Sequence, residues 1–128
     1  APMRLEAIVE KKYEQAYPFS ISKTISFEET IEQIVRDLQQ HVPLPEISTK
    51  FHNTIILAIG EVVKEIRSSH NLNKVVLSGG TFQNKYLLEK LENLLINDDF
   101  TVFSHKKVPT NDGGIALGQL VIAAKNYL

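Results

Sequence analysis

The chain has 128 residues, enough for one compact domain. Its 43% apolar and 23% charged residues fall in the ordinary globular range, and a formal net charge of −1 supplies no basic field for nonspecific nucleic-acid binding. With no cysteine, a disulfide scaffold and a thiolate metal site are both excluded. No apolar run approaches membrane-spanning length and no secretory signal is visible, so no membrane partner is expected and a cytoplasmic location is.

The chain starts Ala1-Pro2-Met3-Arg4-Leu5-Glu6-Ala7-Ile8-Val9, without an initiating methionine and directly in a helical pattern, as a piece of a longer protein would. Pro2 suits the first turn of a helix, where its missing N–H costs little. The apolar side of that helix carries Met3, Leu5, Ala7, Ile8 and Val9; Lys11, Lys12 and Glu14 form the wet side. Glu6 falls within the apolar stretch, either as a surface carboxylate or as one aimed at a ligand hydroxyl. Tyr17-Pro18 ends the helix, because a residue before proline is driven out of the helical region.

Phe19-Ser20-Ile21 alternates as a short extended segment would. Ser26-Phe27-Glu28-Glu29 has the spacing of a capping box, and Ile31, Ile34, Val35 and Leu38 follow at helical intervals. His41-Val42-Pro43-Leu44-Pro45 breaks the chain, and Pro45 opens a third helix with a stripe of Ile47, Phe51, Ile55, Ala58, Val62 and Ile66. Ile56, Ile59 and Val63 widen that stripe, which predicts a well-buried helix closed by Ser68-Ser69-His70-Asn71. His52 in its first half fits a helix-surface or packing role better than catalysis.

The unit from Asn73 to Gln119 organises the rest. Val75-Val76-Leu77 is a short apolar run before Ser78-Gly79-Gly80-Thr81, which predicts a strand buried on both faces and leading into a turn. Tyr86, Leu87, Leu88, Leu91, Leu94 and Leu95 then keep helical spacing, Asn97-Asp98-Asp99 turns, and Thr101-Val102-Phe103 forms a second strand. Ser104-His105-Lys106-Lys107 reads as a small basic patch or, the better fit, as a solvated loop. A second glycine turn, Asn111-Asp112-Gly113-Gly114, opens a last helix rich in small residues, suited to close packing.

A strand–helix–strand order with short loops favours parallel pairing, which brings both glycine turns to the same end of the sheet. Turns that open helices present backbone N–H groups, glycine lets a ligand come close, and open α/β sheets bind ligands at the carboxyl ends of strands. The pattern therefore predicts a phosphate-bearing ligand held between the two turns. Neither the dinucleotide fingerprint nor the P-loop motif is present. Asn84, one turn beyond the first glycines, could bond a ligand or be merely exposed. Asp112 is a helix N-cap or a ligand for a hard metal ion. Among the four histidines no pair is spaced to share a helix face, and Ser78 lacks the Gly-x-Ser-x-Gly context of a nucleophile, so no catalytic residue is assigned.

Two long stretches, Leu77-Ser78-Gly79-Gly80-Thr81-Phe82-Gln83-Asn84 and Pro109 to Gln119, resemble the HypF family of hydrogenase maturation carbamoyltransferases. Phe51-His52 and Met3-Arg4-Leu5-Glu6-Ala7 resemble conserved helices of the same family, in the right order. The resemblance implies that residues 1–128 form the C-terminal part, in the second lobe, of a carbamoyl-transfer domain with the two-lobed actin/sugar-kinase type of ATPase fold. The expected fold is α/β: mostly helix with a small parallel sheet.

It also implies a parent that uses carbamoyl phosphate and ATP, passes through carbamoyl adenylate, and carbamoylates the C-terminal cysteine of a partner, HypE. Carried over by position, Gly79, Gly80 and Asn84 would bind nucleotide, Glu6 would face its ribose, and Asp112 would ligate a divalent metal. The family's paired metal-binding histidines belong to the first lobe, so the chain alone is expected to be catalytically silent. The alternatives are a tRNA threonylcarbamoyl-transfer relative and a noncatalytic docking module.

Overall fold

A computed structural model describes residues 2–127. The helices are α1 (Pro2–Ala7), α2 (Glu28–Gln39), α3 (Leu44–His70), α4 (Lys85–Asn97) and α5 (Ile115–Tyr127). The strands are β1 (Ser20–Ile21), β2 (Ile25–Ser26), β3 (Lys74–Leu77) and β4 (Thr101–Ser104). β3 and β4 pair in parallel, Val75 against Val102 and Leu77 against Ser104. The fold is thus the expected α/β arrangement, mostly helical around a small parallel sheet. An antiparallel ribbon of β1 and β2 adds to it; the sequence suggested only an extended segment there.

The core lies where α3 and α4 meet one face of the sheet. Ile56 of α3, Leu77 of β3, and Tyr86, Leu87, Leu91 and Leu95 of α4 are buried together with Phe100. The two helices come close at Gly60, where a Cβ would stand 2.7 Å from Leu94 Cδ2. Such interdigitation leaves little room for added volume.

The first helix is shorter than expected: it ends at Ala7, well before Tyr17-Pro18. The reason lies on α3, whose polar side chains hold the following segment in a non-helical course. Glu10 N donates to Thr49 Oγ1 at 2.9 Å, and Tyr17 N to Thr54 Oγ1 at 2.8 Å. Asn53 Nδ2 donates to the carbonyls of Tyr13 and Gln15 at 3.3 and 2.9 Å. Thr49, Asn53 and Thr54 lie at helical spacing on one side, so α3 serves residues 10–17 as a ladder of partners. Tertiary hydrogen bonds override the local apolar pattern there.

Four further expectations are corrected. Ser26 is not the N-cap of α2; Phe27 is, and Ser26 Oγ accepts only a long 3.4 Å bond from Glu28 N. The apolar stripe of α2 faces outward, with Ile31, Val35 and Leu38 exposed and Thr30 buried instead, its hydroxyl donating to Pro18 O at 2.6 Å. The small residues of α5 do not pack it into the core: every side chain from Ile115 to Asn126 is exposed. Nor is the first parallel strand buried on both faces: α3 and α4 cover only one, and Val76 and Phe103, paired on the other, are 68% and 50% exposed.

Candidate functional site at the carboxyl ends of the parallel strands

Because β3 and β4 run parallel, the chain leaves both at the same rim. Beyond β3 it enters Ser78-Gly79 and a 3₁₀ turn, Gly80–Gln83, before α4. Beyond β4 a loop leads to a second 3₁₀ turn, Asp112–Gly114, and then α5. The two connections touch: Gly79 N donates to Thr110 O at 3.0 Å. Gly79 has φ 103° and ψ 165°, a region open essentially to glycine alone. At Gly80 an added Cβ would meet nothing within 4 Å, so this backbone borders open space.

That space is a cleft of about 650 Å³ between the first glycine turn and α1, lined by Met3, Glu6, Gly80, Thr81, Gln83 and Asn84. Three of the residues expected to contact a nucleotide, Glu6, Gly80 and Asn84, therefore share one cavity wall, with Gly79 adjoining. Asp112 does not line the cleft; it sits in the second turn, two residues after Thr110. A second groove of about 550 Å³ lies between α3 and α4, bordered by Asn53, Leu57, Lys64, Asn93 and Asp98. It contains none of the expected site residues.

Asn84 and Glu6 are held by bonds within the chain. Asn84 is the N-cap of α4, its Oδ1 accepting from Leu87 N at 2.9 Å. Its Nδ2 donates to His52 Nε2 at 2.9 Å, while His52 Nδ1 donates to Ser48 O at 2.8 Å. A carbonyl can only accept, so the hydrogen resides on Nδ1 and Nε2 is the acceptor. His52 is buried, packed edge-on to Tyr86 with ring centroids 5.8 Å apart. It thus packs, as expected, and also fixes which way the Asn84 amide points. Glu6 Oε1 accepts from Lys85 N at 2.7 Å, which ties α1 to the start of α4. A carboxylate there also complements the helix dipole.

The second turn is built by its own asparagine. Asn111 caps it, its Oδ1 accepting from Gly113 N at 3.0 Å, so the capping role open to Asp112 belongs to its neighbour. A Cβ at Gly114 would stand 3.2 Å from both Pro109 O and Val108 Cγ1, so this glycine answers a close approach within the loop. The Thr110 hydroxyl is buried at the junction and lacks a hydrogen-bond partner among the described residues. Among those residues, too, no group of three or more His, Asp or Glu side chains is gathered that could hold a metal ion.

One contact at the rim lies outside the expected set. Ser78, the residue after β3, and His105, the residue after β4, are hydrogen-bonded, Oγ to Nε2, at 2.9 Å. Sequence spacing could not pair them, because they meet only through the parallel register.

The titrating group displaced furthest from its ordinary value, Tyr17, lies away from this rim. Burial and a hydrogen bond to Asp37 push the Tyr17 phenol up. Burial also raises the Asp37 carboxyl, but hydrogen bonds from Lys50 and Tyr17 outweigh it and hold the group below the usual carboxylate range. Lys50 Nζ and Tyr17 Oη reach Asp37 Oδ2 at 2.6 and 2.8 Å, joining α3, the segment before β1, and α2. This cluster is structural.

A parallel strand pair whose two glycine turns meet at one rim, the first of them lining a cleft, defines an α/β lobe, and the comparisons specify which. Residues 1–119 match the family model described as carbamoyltransferase, Kae1-like domain, second subdomain. The chain belongs to that family, the HypF carbamoyltransferases. It is 31% identical over 136 aligned positions to the carbamoyltransferase HypF of Synechocystis, covering 100% of this chain and 17% of that protein. A crystal structure of full-length HypF in a phosphate- and nucleotide-bound form superposes with a TM-score of 0.86 at 43% identity, over 96% of this chain and 17% of that one. The HypF of T. kodakarensis shares the fold, with a TM-score of 0.72 at 20% identity over 96% of this chain and 17% of that one. The chain thus spans about a sixth of the length of these relatives.

Proposed function

We propose that this chain is the nucleotide-holding part of the second lobe of a carbamoyltransferase that acts in nickel–iron hydrogenase maturation. In this reaction water releases carbamate and phosphate from carbamoyl phosphate, and a carbamate oxygen attacks the α-phosphorus of ATP, giving carbamoyl adenylate as pyrophosphate leaves. The thiol sulfur of the C-terminal cysteine of HypE then attacks the carbamoyl carbon. The bond from that carbon to the adenylate oxygen breaks, AMP leaves, and the thiol gives up its proton. The role of this chain is to bind and orient the adenosine and phosphate parts.

The observation that carries the proposal is the shared cleft. Glu6, Gly80 and Asn84 converge on about 650 Å³ beside Gly79, whose N–H joins it to the loop of Asp112. Glu6 keeps its second carboxylate oxygen for a ribose hydroxyl. Gly80 allows a ligand to approach the backbone, and Asn84 is held rigid from behind by His52. A structurally similar HypF was crystallised with phosphate and nucleotide.

The residues present do not by themselves fit a divalent metal. Asp112 offers one carboxylate, and hard cations take six or more oxygen ligands. Asp112 would ligate such an ion only together with groups from outside this chain, and no step is derived through it.

Titration calorimetry of the chain with ATP and magnesium tests the binding role; saturable heat that weakens in Gly80→Val is expected. Absence of heat from a chain that is folded by circular dichroism would favour a docking module instead. The chain alone is expected not to carbamoylate a peptide bearing the HypE C-terminal cysteine; turnover would contradict the division of labour proposed here.

A further inference from the structure

Register brings Ser78 and His105 together. Leu77 pairs with Ser104, so the next residue of each strand leaves the sheet at the same level, and the two side chains bond at 2.9 Å. Both residues are exposed. An exposed neutral hydrogen bond adds little to stability, since water would serve either group equally well. The pair is therefore better explained by what it presents than by what it holds together. It adjoins Gly79, whose N–H crosses to Thr110 O, and so lies where the two glycine connections meet. His105 is followed by Lys106 and Lys107, both exposed, which makes this part of the rim basic.

We propose that Ser78 and His105 form a binding pair for a phosphoryl group at the carboxyl rim of the sheet. When the ligand is bound, His105 Nε2–H donates to Ser78 Oγ. That fixes the hydroxyl rotor and leaves the Ser78 O–H free to donate to a phosphoryl oxygen. Lys106 and Lys107 raise the local anion concentration without fixing its geometry; Asp112, on the following turn, is the opposing charge on this loop. The phosphoryl group can come from a nucleotide, from carbamoyl phosphate or from inorganic phosphate. The inference rests on the nucleotide-holding role proposed above and adds a second set of contacts at the rim, beside the residues that line the cleft.

The test is a titration of the chain with inorganic phosphate, carbamoyl phosphate and ATP, read by calorimetry and by the ring ¹⁵N shifts of His105. The expected result is a saturable shift of His105 Nε2 with at least one of the three; whichever binds tightest identifies the source. Ser78→Ala should weaken that binding roughly ten-fold, the loss of one hydrogen bond to a charged group. Ser78→Thr, which keeps the hydroxyl, should retain most of it. Both positions are exposed, so circular dichroism of the variants should match the parent. If Ser78→Ala binds as the parent does while Lys106→Ala with Lys107→Ala does not, the site is only a diffuse basic loop and the inference fails. If ATP binds and shifts Gly80 and Lys85 but not His105, the pair is overturned and the cleft survives. If no ligand produces a shift anywhere in the folded chain, both are overturned.

Discussion

Asn84 is the residue at which fold and cleft are most tightly joined, so its substitution has a definite expected effect. Asn84→Ala removes the cap on Leu87 N, worth about 1 kcal/mol. It also strips His52 Nε2 of its donor in a site where that ring is 4% exposed, and an unsatisfied buried acceptor costs about 1–3 kcal/mol. The sum is about 2–4 kcal/mol, less whatever a water entering the cleft recovers. Asn84→Asp keeps the cap but turns an acceptor toward the His52 acceptor, so it should lose the second part of this sum and keep the first. Urea denaturation is the assay, with the midpoint falling and the slope unchanged. A loss under about 0.5 kcal/mol in Asn84→Ala, the level of an ordinary surface change, would refute the proposed linkage through His52.

Gly79→Ala should cost about 1–3 kcal/mol, because its φ of 103° and ψ of 165° are strained for any side chain even though the surrounding space is open; Gly80→Ala, with neither restriction, should be close to neutral in the same thermal melt. Asp37 has a carboxyl held below its ordinary value of 3.8, so its contribution to stability is present above that value and is lost as pH falls through the lower value of the folded state. An acid titration of Asp37→Asn should accordingly show a lower plateau and a shallower acid limb than the parent. The exposed α5, with Leu120, Val121 and Ile122 each more than 60% exposed, forms an apolar surface of the kind that drives association. Sedimentation of the isolated chain should show concentration-dependent self-association, reduced in Leu120→Lys with Ile122→Lys; a monomer at all concentrations would contradict this.

Regular spacing made most of the fold legible in the sequence. The leucines of α4 and the paired runs at Val75 and Val102 specify their elements locally, and short connections between them favour a parallel pair. The segment after Ala7 misled, because its helical pattern is overruled by Thr49, Asn53 and Thr54, more than 35 residues away in sequence. Those polar residues amid the apolar stripe of α3 were the available signal. At the site, the glycine turns announce themselves through composition. The pairs Glu6–Lys85, His52–Asn84 and Ser78–His105 do not, since each joins residues that only tertiary structure brings together. The outward stripe of α2 and the bare surface of α5 show the same limit: periodicity identifies an apolar face without saying what covers it.

Hydrogen exchange of the chain with and without ATP and magnesium tests the central claim most directly. Joint protection of residues 78–85 and 109–114, together with Met3 to Glu6, is the predicted outcome. Protection confined to one glycine turn, or centred on the groove of Lys64, Asn93 and Asp98 between α3 and α4, would contradict the account.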